Sequence, residues 1–257
     1  MRKLPLYMSS EYYEVIEESN GDCFIKDIEQ NRYYFKKEFY ASQNIAFKKI
    51  EEIKWNLWDS IFVILILLSF FLGIYVALNY SNIYRAESYN TSMYVFSAIY
   101  VVMSIVTHEL GHAMTMKIYK RKYGKIRLKI YYYLFPAIVT DTTDSYILPR
   151  YRRAFVYYAG VMVNLITFGL TLLLIPNSEY LLRIVIWGPV YNLIPFGGMK
   201  TDGYHIFINT LMNVKDFKLK HNLISDIAKY IFFIFMGITI LDSILRCMGY
   251  EGVFAIL

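Results

Sequence analysis

Cysteine and histidine are scarce in this chain of 257 residues, which has only two cysteines and four histidines. Cys23 and Cys247 lie near opposite ends, so the chain lacks the paired spacing of a cysteine metal site. Internal repeats and low-complexity tracts are absent as well, which excludes repeat architectures. Residues 1–55 contain no uninterrupted apolar core, and we therefore expect no signal peptide.

Hydrophobic residues are abundant, by contrast, at 56% of the chain, with aromatic residues at 18%. They come in long blocks, which is typical of a polytopic membrane protein. The net charge of +6 would suggest nucleic-acid binding, but the basic residues cluster in the loops between apolar blocks. Membrane orientation explains that distribution better, so we expect a lipid bilayer and no nucleic acid as a partner.

The apolar blocks predict the fold class, an all-α polytopic membrane protein with about five transmembrane helices. The expected spans are 61–78, 93 to about 112, 154–175, a segment beginning near 181, and 223–245. Ten lysines and arginines between Lys117 and Arg153 indicate that this loop is cytosolic. We therefore expect a multi-pass protein of the cell membrane with a cytosolic N-terminus and an external C-terminus, which separates Cys23 from Cys247.

Two domains are expected, a cytosolic region at 1–55 and a membrane-embedded domain at 56–257. Within the first, residues 23–37 predict a small cytosolic β-hairpin, and residues 47–53 predict an amphipathic helix. This region could recognise a substrate, lie on the membrane or serve as a plain cap. Residues 125–130 alternate between basic and apolar side chains, which predicts a strand. That strand is either an edge for an extended substrate or a hairpin packed on the helices.

The sequence His108-Glu109-Leu110-Gly111-His112 ends the second apolar block. Residues four apart share one face of a helix, about 6 Å apart along its axis, so both imidazoles can reach one zinc ion. Glu109 can then act as the general base that takes a proton from zinc-bound water. A pair of ordinary helical histidines is the alternative. It is disfavoured because an acidic side chain at mid-bilayer costs about 2.5–3.5 kcal/mol and requires a functional partner.

A catalytic zinc needs a third protein ligand. From the residues alone four candidates stay open, namely Asp141, Asp144, Asp202 and His205. Asp202 follows a helix break at Pro195 and a glycine pair, although Asp-Gly is also an ordinary turn signal.

These motifs occur in a specific order, listed here as His108 to Ala113, Ala159-Gly160-x-x-x-Asn164, Asn192-x-x-Pro195 and Asp202-Gly203. Together they resemble the site-2 protease family of intramembrane zinc metalloproteases, over about residues 93–210. The resemblance implies a three-helix catalytic core and one zinc ion per chain. It also implies zinc ligands at His108, His112 and Asp202, with Glu109 activating water. Asn192 would hold the substrate or the broken helix, and Asn164 is a second candidate for binding substrate.

The chain is most similar to a bacterial branch, the peptide zinc metalloproteases associated with ribosomally made antimicrobial peptides. It departs from the wider family in having Thr201 where many members have leucine, and it shows no PDZ-like insertion. The resemblance thus implies cleavage of a membrane-associated peptide or transmembrane segment, including maturation of a secreted or antimicrobial peptide. A non-catalytic immunity factor or transporter with a vestigial metal site is the alternative, against which the intact Glu109 argues. A prenyl-protein-type protease is disfavoured by residues 192–202. The oligomeric state stays open.

Overall fold

The computed structural model describes residues 4–44, 47–78, 91–131, 135–175, 181, 187–196, 200–210 and 223–248. These residues form an N-terminal β-sheet followed by a helical body. The strands are β1 (Leu6–Ser9), β2 (Tyr13–Glu17), β3 (Cys23–Asp27), β4 (Arg32–Lys36), β5 (Lys49–Glu52), β6 (Ile126–Tyr131) and β7 (Phe135–Thr140). The α-helices are α1 (Ala41–Asn44), α2 (Leu57–Leu78), α3 (Thr91–Ile118), α4 (Arg150–Leu174), α5 (Trp187–Leu193), α6 (Asp202–Thr210) and α7 (Leu223–Cys247), and a 3₁₀ helix spans Thr143–Ile147.

The N-terminal region is an antiparallel sheet of five strands in the order β4-β3-β2-β1-β5. The all-α fold class expected from the apolar blocks is therefore wrong. The hairpin expected at 23–37 is present as β3 and β4, but it is part of this larger sheet. Strands of four or five residues are too short to show a clear alternation, which is why β1, β2 and β5 were not expected.

The amphipathic helix expected around residues 47–53 is also wrong, because Lys49–Glu52 form strand β5. Its backbone pairs with β1 in register, from Leu6 opposite Glu52 to Ser9 opposite Lys49. All four residues of β5 are exposed, so backbone hydrogen bonding rather than side-chain burial defines this edge strand.

The sheet buries side chains on both faces because successive residues of a strand point in opposite directions. One face packs Met8, Val15, Cys23 and Ile25 against Ala41 of α1. The other face packs Ile16 and Phe24 against Ile147 of the 3₁₀ helix. The sheet is therefore docked on the helical body through the segment that immediately precedes α4.

A buried arginine strengthens this docking. Arg153 of α4 is 1% exposed, and it donates hydrogen bonds to Glu18 at 2.7 Å and to Asn209 at 3.0 Å. Its guanidinium lies 4.0 Å from the ring centroid of Phe24, a cation–π contact. One side chain of α4 thus connects the sheet to α6.

Three helices among the described residues are long and apolar enough to cross a membrane, at Leu57–Tyr75, Val95–Ile118 and Arg150–Leu174. They correspond to the first three expected spans. Of the fourth, residues 182–186 lie outside the described residues and Trp187–Leu193 form α5, while the fifth corresponds to α7. The count of five spans and the orientation of the termini remain predictions.

The helical body packs five segments against one another. Helix α4 packs against α3 on one side and α6 on the other, α5 contacts α4 and α6, and the β6–β7 hairpin lies beside α3. The strand expected at 125–130 is confirmed, with β6 pairing antiparallel to β7.

Candidate metal centre and its cleft

His108 and His112 lie one turn apart on α3 and are 5% and 4% exposed. Their Nε2 atoms are 3.2 Å apart, so both rings point at the same place. This is the arrangement that the four-residue spacing predicts.

Asp202, the first residue of α6, completes the cluster. Its Oδ2 lies 2.9 Å from Nε2 of His108 and 3.4 Å from Nε2 of His112. A tetrahedral zinc with bonds of about 2.0–2.2 Å needs ligand atoms about 3.3–3.6 Å apart. Two imidazoles and a carboxylate therefore fit a zinc ion in donor type, and their ligand atoms, 2.9, 3.2 and 3.4 Å apart, would move apart by only a few tenths of an ångström to hold it.

A glycine on α4 makes room for this cluster. A Cβ built on Gly160 would lie 2.6 Å from ring atoms of His108 and 2.7 Å from Nε2 of His112. Any side chain at Gly160 would therefore occupy the space of the two rings, and the glycine of the Ala159-Gly160 motif is explained by this close approach rather than by a turn.

The start of α6 is fixed in a similar way. A Cβ on Gly203 would lie 2.0 Å from the carbonyl oxygen of Leu193, so α6 begins against the end of α5. Thr201 precedes the helix, and its hydroxyl accepts from the backbone N–H of Tyr204 at 3.3 Å and donates to the carbonyl of Ile194 at 2.6 Å. This is a helix N-cap that also holds the preceding loop. It accounts for threonine where many members of the resembling family have leucine.

Hydrogen bonds orient both imidazoles. Nδ1 of His112 lies 2.7 Å from the carbonyl oxygen of Val156, which can only accept, so this nitrogen carries a proton and, in the neutral ring, Nε2 has the free lone pair. Nδ1 of His108 faces the side-chain amide of Asn164 at 3.3 Å. The amide nitrogen of Asn192 lies 3.5 Å from Nε2 of His108. Asn164 thus lies behind a ligand and Asn192 beside the cluster; their binding of substrate remains a prediction.

Glu109 lies beside the cluster and is not one of its members. Its Oε2 accepts a hydrogen bond from the backbone N–H of Thr140 at 2.5 Å, at the end of β7. The hydroxyl of Thr140 also bonds the backbone carbonyl of Glu109 at 3.3 Å. The β6–β7 hairpin therefore ends beside the expected base and holds its carboxylate in place.

The cluster lies at the inner end of a cleft of about 320 Å³. Glu109, His112 and Asp202 line that end, and β6, β7, the 3₁₀ helix and Lys200 form the walls. His205 also lines the cleft, with its ring stacked on Tyr157 at 4.0 Å. Its buried Nδ1 has no hydrogen-bond partner within the described part of the chain, and the ring is outside the three-residue cluster.

The other two candidate ligands have different partners. Asp141 lines the cleft and accepts from the hydroxyl and backbone N–H of Thr143. Asp144 is 6% exposed and lies in an ionic network with Arg121, Lys26, Tyr33 and, through Arg121, Glu14.

This network joins three strands of the sheet to the end of α3, and it is the feature of the site region that the sequence did not reveal. Burial alone would raise the pKa of Asp144, but the hydrogen bonds from Arg121 and Lys26 outweigh it and hold that pKa well below its usual range. The same neighbours keep Asp144 ionised and unavailable to a metal.

Two histidines and a carboxylate around one point, with a glutamate from the same helix beside them, are the donor set and the neighbouring base that a hydrolytic zinc site requires. The chain is similar to the "Putative peptide zinc metalloprotease protein YydH" of Bacillus subtilis (strain 168), with 29% identity over 85% of this chain and 89% of that protein. The resemblance to the bacterial peptide zinc metalloproteases, expected from the motifs, is thereby confirmed. No protein-family model and no solved structure matches the chain.

Proposed function

We propose that this chain is an intramembrane zinc metalloendopeptidase that hydrolyses a peptide bond in a membrane-associated peptide or transmembrane segment. The observation that carries the proposal is the convergence of His108, His112 and Asp202 with Glu109 beside them at the inner end of a cleft.

Each part of the machinery has a role that its contacts support. His108, His112 and Asp202 would hold one zinc ion, with the rings oriented by Asn164 and by the carbonyl of Val156. When bound, zinc supplies a Lewis acid that polarises the substrate carbonyl and lowers the pKa of a water molecule from about 15.7 to about 7.

Glu109 would accept a proton from the attacking water on one carboxylate oxygen and later deliver it to the leaving amine. Its Oε2 is held by the N–H of Thr140, so the carboxylate is positioned before substrate arrives. This bond also keeps the acidic side chain from turning toward the three ligands, which leaves it free for proton transfer.

A membrane location for this chemistry is supported by α2, α3 and α4, which are long and apolar enough to span a bilayer. Helix α3 carries both histidines, so the site would lie within the membrane or at its boundary. The name of the Bacillus subtilis relative supports a peptide substrate, and maturation of a secreted or antimicrobial peptide is the role we propose on that basis.

The test is the substitution Glu109→Gln in the purified full-length protein, loaded with zinc and incubated with a library of internally quenched peptides. Because Glu109 is not a ligand, we expect one zinc ion per chain and loss of nearly all cleavage. Glu29→Gln, on an exposed turn of the sheet, is the matched control and should cleave like the unmodified protein. Full cleavage by Glu109→Gln would refute the assignment of the base.

A further inference from the structure

The wall of the cleft next to Glu109 is strongly basic. Lys125, Arg127, Lys129 and Lys200 all line it. All four are exposed, and none forms a salt bridge with any residue in the described part of the chain. Outside the metal cluster and Glu109, Asp141 is the one carboxylate that lines this cleft within the described residues.

Two of these basic side chains, Arg127 and Lys129, lie in a row along strand β6, and we call this pair the basic row. Arg127 and Lys129 are two residues apart on β6 and so point to the same face, while Ile126, Leu128 and Ile130 point to the other. Those three apolar residues are 47%, 67% and 65% exposed, so they do not pack on the body of the protein. The strand thus turns its basic face toward the cleft.

The register of the hairpin places this row at a defined distance from the catalytic end. Thr140, which bonds Glu109, is paired with Ile126, whereas Val139 and Ala137 are paired with Arg127 and Lys129. At about 3.3 Å per residue, the two basic residues lie about 3 Å and 10 Å further along the strand. If an extended substrate lies beside β6 with its scissile peptide bond next to Glu109, its side chains within about three residues of that peptide bond would face Arg127 and Lys129.

We propose that the substrate carries aspartate or glutamate within about three residues of the cleaved bond, and that the basic row selects it. This inference rests on the proposed function, since it names the substrate class of the same site. An anionic lipid headgroup has the same charge, but the row opens into the cleft that holds the metal cluster, which favours a peptide.

A binding experiment tests this without requiring turnover. Zinc-loaded Glu109→Gln protein in zwitterionic nanodiscs is titrated with two fluorescently labelled ten-residue peptides that differ only in carrying three aspartates or three asparagines. Exposed ion pairs contribute about 0.2–1 kcal/mol each, so two or three of them should make the aspartate peptide bind roughly 2- to 160-fold more tightly. The difference in affinity between the two peptides should shrink as the salt concentration is raised.

The double substitution Arg127→Glu and Lys129→Glu should reverse the preference, while Lys122→Glu, an exposed lysine of the same loop outside the cleft, should leave it unchanged. Equal affinity for the two peptides in the Glu109→Gln protein would overturn the inference. So would a preference that disappears when the nanodiscs contain phosphatidylglycerol, because the row would then bind lipid. Failure of the proposed function is a separate result, namely no cleavage of any library peptide by the zinc-loaded protein with intact Glu109.

Discussion

Gly160→Ala is the smallest change that should destroy the metal centre. The added methyl carbon would lie 2.6 Å from Cε1 and Nε2 of His108, whereas ordinary contact begins at 3.4 Å. The distance between the methyl carbon and the His108 ring must therefore increase by about 0.8 Å. Zinc–ligand distances tolerate about 0.2 Å, so His108 and His112 could not both keep their positions on the ion.

The fold itself should survive the same substitution. In the interior of a helix, alanine is favoured over glycine by about 1 kcal/mol, which partly offsets the strain between α3 and α4. We expect Gly160→Ala to keep its helical circular dichroism while its zinc content falls below about one tenth of an ion per chain. Cleavage should fall at least about 100-fold, the usual consequence of a misplacement near 1 Å.

Two matched controls separate metal loss from a general effect of the substitution. Gly237→Ala lies in the long helix α7 with nothing within 4 Å of the new carbon, and the atoms nearest to the new carbon of Gly169→Ala on α4 belong to the flexible side chain of Leu72. Both should retain zinc when all three purified proteins are dialysed against one zinc-buffered solution and measured by mass spectrometry. One zinc ion per chain and unchanged cleavage in Gly160→Ala would refute the assignment of the site.

Three further predictions follow from other contacts. Asp202→Ala should lose both zinc and cleavage whereas His205→Ala should keep the metal, and the opposite pattern of zinc content would show that the third ligand is misassigned. Because the pKa of Asp144 is depressed, its contribution to the free energy of unfolding is present above about pH 4 and is lost as the pH falls further. Asp144→Asn should therefore lower the free energy of unfolding by about 3 kcal/mol at pH 7 and flatten the acid limb of the pH–stability curve. The exposed control Glu29→Gln should do neither. Cys23 is fully buried and burial raises its pKa to about 11, so topology is better reported by Glu29→Cys in a protein that also carries Cys247→Ser. An impermeant thiol reagent should label this variant only after the membrane is permeabilised, and labelling in intact cells would invert the proposed orientation.

The pair of imidazoles on α3 could be predicted from the sequence because it depends only on local spacing. His108, Glu109 and His112 lie within five residues, and helical geometry alone places the two imidazoles together. The third ligand could not be found in that way. Asp202 lies 94 residues after His108 in the chain, and no periodicity connects them, so its selection over Asp141, Asp144 and His205 depended on the family resemblance.

The N-terminal sheet was missed for a related reason. Its strands are short, and the partners that hold it on the helical body are more than 100 residues away in sequence, as in the bonds from Arg121 to Glu14 and from Lys26 to Asp144. Each of these residues read alone is an ordinary surface charge. Only the folded chain shows that they compensate one another in a largely buried network.

The 3₁₀ helix at Thr143–Ile147 connects the sheet to the catalytic cleft. Asp144 and Ile147 contact the sheet, and Thr143 lines the cleft. Tyr146 does both, because it lines the cleft while its ring stacks on Phe24 of the sheet. The N-terminal sheet therefore influences the shape of the cleft, because it holds in place the 3₁₀ helix that forms one of the walls. The walls are built from β6, β7 and this segment, while the proposed metal ligands lie on α3 and α6. Substitutions in the sheet should accordingly change peptide binding before they change zinc content.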